Sequence, residues 1–211
     1  MSFLSLVRRP FRYVFWNAAF ILIGINLLVY LFIWMDPVLG RYLALNPLFI
    51  LKNHMYWQVF SYQFVHGDIS HLFFNMLAVL FFGIAVEKRV GSKEFLLLYL
   101  LSGTLCGVLS FFLYILTGAW YVFLMGASGA VFALLLAYAV LYPTSVILIW
   151  GIIPIPAPVL VLGYAGLEVF NIITGTNQGV AHSTHLIGFA VAWVYFLVRF
   201  GINPAKVWKG R

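Results

Sequence analysis

The 211-residue chain is 64% hydrophobic and only 8% charged, with a formal net charge of +7 at pH 7. A water-soluble domain carries roughly a quarter charged residues, so this balance excludes a soluble protein and identifies an integral membrane protein. The basic residues do not interleave with aromatics on any polar face, so no nucleic-acid partner is expected, and the single Cys106 excludes an intramolecular disulfide.

In chain order, Arg8, Arg9 and Arg12 precede the first apolar run, and no small-residue cleavage site follows it, so no removable signal peptide is expected. The rule of about 20 apolar residues per crossing predicts six helical spans, all in one membrane domain over residues 1–211. They cover residues 15–34, 71–86, 95–117, 128–142, 155–173 and 181–200. Pro154, Pro156 and Pro158 leave the start of the fifth span open.

Lys88, Arg89 and Lys93 lie between spans two and three, and Arg199, Lys206, Lys209 and Arg211 lie at the end of span six and beyond. By the positive-inside rule both termini are cytoplasmic, which agrees with an even number of crossings. The connections over residues 35–70, 118–127 and 175–180 are then external. The first of these mixes Pro47–Leu51 and the Tyr56-Trp57 pair with polar residues, and is expected to lean, partly immersed, on the flank of the bundle.

The run Gly126-Ala127-Ser128-Gly129 ends a loop and opens the apolar fourth helix. Its flanking glycines permit close approach of backbone or substrate, and the first helical turn offers free N–H groups to an anion. The competing explanation is a small-residue helix contact. Helix rise decides between them. Counted from the inner helix ends, Ser128 stands at about 22 Å, His185 at about 21 Å, Asn75 at about 18 Å and His71 at about 24 Å. Four polar side chains thus share one layer beneath the outer face of a core about 30 Å thick, where ionisable residues are functional by default.

Small residues bring that layer together. Gly129, Ala133 and Ala137 form a ridge on span four that matches Gly188 and Ala192 on span six. Ser128 is then the nucleophile and His185 its general base and acid. The Ser128 backbone N–H, the Asn75 amide and His71 are candidate donors to an oxyanion, and Phe132 is placed to stack on an imidazole. His182, one turn nearer the outside, is the competing base. No carboxylate stands at this depth in spans two, four or six, so a dyad is expected. Glu168 in span five, about 7 to 9 Å from its outer end, is the one contender for a third member, and an interfacial or pairing role is favoured over that. A zinc site from His66, His71, His182 and His185 leaves the Ser–Gly motif unexplained, and no metal or cofactor is expected.

The residues from about Trp57 to Ala192 resemble the rhomboid family of intramembrane serine proteases. The likeness rests on His66-Gly-Asp-Ile-Ser-His71-Leu-Phe-Phe-Asn75, Glu87-Lys-Arg-Val-Gly91, Gly126-Ala-Ser-Gly129 and His185-Leu-Ile-Gly188, in that order. It implies an all-α bundle of six transmembrane helices, a Ser128–His185 dyad, an oxyanion site from Ser128 N–H, Asn75 and His71, and a structural role for His66. It also implies cofactor-free hydrolysis of a peptide bond in or near the transmembrane segment of single-pass or polytopic membrane-protein substrates in the lipid bilayer. Two residues depart from the pattern: Trp57 is followed by Gln58 where the family often has arginine, and Phe132 stands where tyrosine is frequent. Gly175-Thr-Asn-Gln-Gly179 is expected to act as a lid, and a substrate helix to approach near span five. The rival expectation is a catalytically silent relative that binds transmembrane clients. The economy of the chain suggests a prokaryotic plasma membrane.

Overall fold

The structure is a computed structural model, described for residues 3–149, 151–176 and 181–210. Five helices are long and apolar enough to cross a membrane: Ala18–Met35, Ile69–Val90, Ser92–Leu116, Ala157–Thr174 and His182–Phe200. They correspond to predicted spans one, two, three, five and six. The fourth, Ser128–Leu141, has 14 residues, a length of about 21 Å. It is too short to reach both faces of a core about 30 Å thick. It is also the most enclosed helix, with Gly129, Ala133, Ala137 and most of its other residues buried. Spans one and five are the least covered.

Sequence explains how the ends are held. Gly91, at φ +86°, turns the chain between spans two and three. One turn earlier, the buried Glu87 carboxylate accepts from the N–H groups of Ala18 and Ala19 at 2.6 and 2.9 Å. It therefore caps the N-terminus of span one, which gives the Glu87–Gly91 motif a structural purpose. At the same end, Arg199 of span six pairs with Glu94 of span three at 2.7 Å.

Three short helices begin with one device: Asp36, Asn46 and Asn203 cap from the side chain and proline follows at the first helical position. Two of these, Pro37–Leu43 and Pro47–Asn53, lie in the long connection between spans one and two, which also holds Gln58–Ser61 and a 3₁₀ turn at Tyr62–Phe64. This connection leans on span three, as expected. The Tyr62 hydroxyl donates to the Gly103 carbonyl at 2.7 Å, and a side chain at Gly107 would meet the Val59 carbonyl at 2.4 Å.

Gln58, with no exposed surface, ties the connection together. Its Oε1 accepts from Asn46 N–H at 3.0 Å, and its Nε2 donates to the carbonyls of Tyr42 and Arg41 at 3.1 and 3.3 Å. The amide thus anchors the loop where the family often uses arginine. The sequence reading misses one element: Pro154 and Pro156 belong to an antiparallel hairpin, Val146–Ile149 with Ile153–Pro156, and the helix begins only at Ala157, with Pro158 in its first turn.

Candidate functional site

The loop before span four is fixed from two sides. Leu45 and Leu124 exchange backbone hydrogen bonds at 3.0 and 2.9 Å, and Gly126 N–H donates to the Tyr62 carbonyl at 3.1 Å. Gly126 has φ +113°, and a Cβ there would stand 2.6 Å from the His71 ring. Glycine is therefore required on both counts. His66 accepts from Ala127 N–H at 3.5 Å, and its ring meets His71 edge-on with centroids 5.0 Å apart. Burial, reinforced by the neighbouring His71, pulls the His66 imidazole down to about 4, which keeps it neutral. That neutral acceptor suits a structural role for His66.

Asp68 caps span two by accepting from His71 N–H at 2.8 Å. The Ser70 hydroxyl, followed by the His71 N–H, holds the Asp68 carboxyl below its ordinary range. The cap sets His71 in the first turn and Asn75 one turn deeper. Asn75 Nδ2 donates to the His71 carbonyl at 2.9 Å, which leaves the second amide hydrogen available.

Spans four and six meet through glycine. A Cβ on Gly188 would stand 2.3 Å from the Gly129 carbonyl oxygen, and one on Gly129 would stand 3.0 Å from Cys106. Backbone contact at this level brings Ser128 Oγ to 2.7 Å from His185 Nε2. Phe132 stacks on the His185 ring with centroids 4.2 Å apart and planes 10° from parallel, so the phenyl ring occupies the place expected of it. Ser128, His185, His71, Asn75, His182 and Ser183 all line a cavity of about 1120 Å³. Its apolar wall continues along Phe74, Ala78 and Phe82 of span two to Tyr164 and Ile172 of span five.

Glu168 does pair, and its partners are the two histidines of span six: its Oε1 lies 2.9 Å from His185 Nδ1 and its Oε2 lies 2.5 Å from His182 Nδ1. The sequence showed its depth. What it lacked was the rotation of span five about its axis, which hangs on the hairpin before it. Because a carboxylate only accepts, each imidazole presents Nδ1–H to Glu168. His185 Nε2 is then the acceptor facing the serine hydroxyl, whereas His182 turns its Nδ1 to Glu168 and is not the ring at Ser128. Among the described residues, the ligand-bearing cluster close enough to hold a metal is Glu168, His182 and His185. Of the expected lid, Asn177, Gln178 and Gly179 lie outside the described residues.

The chain is similar in sequence to known proteins. A family model described as the Rhomboid domain matches residues 53–202. The chain is 28% identical to RHOMBOID-like protein 12, mitochondrial, of Arabidopsis thaliana, over 83% of this chain and 60% of that protein. It is 31% identical to RHOMBOID-like protein 4 of the same organism, over 75% of this chain and 38% of that protein. Identity reaches 37% with the rhomboid protease GlpG of Klebsiella pneumoniae, across 37% of this chain and 26% of that protein. The chain thus spans well under two thirds of the length of each relative. Sources as different as these give no support to the expected prokaryotic plasma membrane. The match over residues 53–202, laid on a polytopic helical membrane bundle, establishes that the chain belongs to the rhomboid family.

Proposed function

We propose that this protein is an intramembrane serine endopeptidase that cleaves membrane-protein substrates in or near a transmembrane segment. The observation that carries the reading is the 2.7 Å contact between Ser128 Oγ and His185 Nε2 inside an open cavity. Ser128 Oγ attacks the scissile carbonyl carbon as its proton passes to His185 Nε2. The resulting oxyanion faces the Ser128 N–H at the helix N-terminus, the free Asn75 amide hydrogen and His71. Collapse breaks the C–N bond, and Nε2 returns the proton to the leaving amine. Water then gives a proton to Nε2 and attacks the acyl-serine ester, and the serine recovers its hydrogen as the acid product leaves.

The apolar wall between spans two and five supports entry of a substrate helix from the lipid on that side, followed by local unwinding at Ser128. The membrane orientation we propose has both termini cytoplasmic and the cavity facing outside.

A serine-directed fluorophosphonate tests the assignment. The wild-type protein in detergent should label covalently and cleave a model transmembrane substrate, while Ser128→Ala and His185→Ala should do neither. Substrate capture without turnover, together with an unlabelled wild type, would instead identify a silent client-binding relative. Cleavage that survives Ser128→Ala would remove the proposed nucleophile.

A further inference from the structure

The dyad chemistry leaves one acid lining its own histidine unused. Glu168 is 7% exposed and its ionic partners among the described residues are two imidazoles on the next span. We propose that Glu168 is a positioning residue that completes the catalytic base: it locks His185 in the Nδ1–H tautomer facing Ser128, while His182 holds its second carboxylate oxygen. The proposal rests on the serine-protease reading above.

The chemistry favours this over a simple pin between spans five and six. A pin needs one hydrogen bond, which an amide supplies as well as an acid. Here both acceptor oxygens are used, at 2.9 and 2.5 Å, by two Nδ1–H donors one helical turn apart. Only a carboxylate accepts from both at once. Phe132, stacked flat on the ring, leaves His185 to be fixed within its plane by Ser128 at one nitrogen and Glu168 at the other. When the serine proton moves to Nε2, the Nδ1–H bond persists. Glu168 stays ionised, and its charge offsets that of the imidazolium. His182 Nδ1–H, on Oε2, keeps the carboxylate turned so that Oε1 faces His185.

The test uses the full chain in detergent. Glu168→Gln offers one acceptor oxygen in place of two and no charge. It should lower kcat for a transmembrane substrate by roughly 10²–10⁴-fold, the scale of losing the acid beneath a catalytic histidine, with KM little changed. Glu168→Asp keeps the charge and should recover a clear part of that loss. Imidazole ¹⁵N NMR should find His185 protonated at Nδ1 and bare at Nε2 in the wild type, and mixed in Glu168→Gln. Unaltered kcat in Glu168→Gln, equal losses in Gln and Asp variants that track thermal stability, or a wild-type His185 protonated at Nε2 would each overturn the proposal. Failure of the protease reading looks different: the wild type stays unlabelled, or Ser128→Ala still cleaves. The NMR tautomer still decides what Glu168 does to His185.

Discussion

At Gly188 a single hydrogen atom governs the distance between Ser128 and His185. Replacing it with methyl places a carbon 2.3 Å from the Gly129 carbonyl oxygen, closer than any real contact, so spans four and six must separate. Ser128 and His185 ride on those two spans, three residues or fewer from the contact. Gly188→Ala should therefore cut the rate of fluorophosphonate labelling by about 10²-fold, the cost of an ångström of misplacement at a nucleophile. Labelling at the wild-type rate would show that the helices need not touch there. The serine, the histidine and their glycines were legible in sequence because each sits in a short motif whose helical position follows from hydropathy. Glu168 was legible only in depth. A helix has a heading as well as a height, and the prolines around the start of span five hid where its register begins.

Among the elements, the long spans were legible because twenty apolar residues have few alternatives to a membrane helix. The first external connection was legible as a structure but not in its joints. Its start signals, Asp36-Pro37 and Asn46-Pro47, lie in plain view as caps followed by proline. Nothing local, however, says that Gln58 reaches back twelve residues or more to Asn46, Tyr42 and Arg41. Gln58→Leu preserves bulk but leaves the buried Asn46 N–H without its acceptor and takes a donor from the Arg41 carbonyl, while the Tyr42 carbonyl keeps the Trp57 indole N–H. A buried group left without a partner is worth roughly 1–3 kcal/mol, so the expected loss of stability is about 2 kcal/mol, read as a lower thermal midpoint in detergent and faster proteolysis within residues 35–70. Gln58→Arg keeps donors for the two carbonyls but cannot accept from Asn46 N–H, so it should fall between leucine and wild type. An arginine variant more stable than wild type would contradict this account of the joint. The connection also hydrogen-bonds to the loop that ends at Ser128, so loosening it should slow labelling as well.

For the whole molecule, the short fourth helix sets the logic of the fold. Five longer helices surround it, and its first residue, Ser128, opens onto the cavity. The orientation we propose has an outer face where the cavity opens and an inner face where Arg199, Lys206 and Lys209 gather. Topology is therefore a test of mechanism. Cys106 has no exposed surface, so the native chain gives a silent background for thiol labelling. Tyr121, 82% exposed in the loop before Ser128, and Lys209, exposed near the C-terminus, lie at opposite ends of the bundle. In intact cells a membrane-impermeant maleimide should label Tyr121→Cys and spare Lys209→Cys until the membrane is permeabilised. Labelling of both from one side would break the six-crossing topology. The reverse pattern would turn the cavity, and any substrate it receives, toward the cytoplasm, against the charge distribution that the basic residues impose.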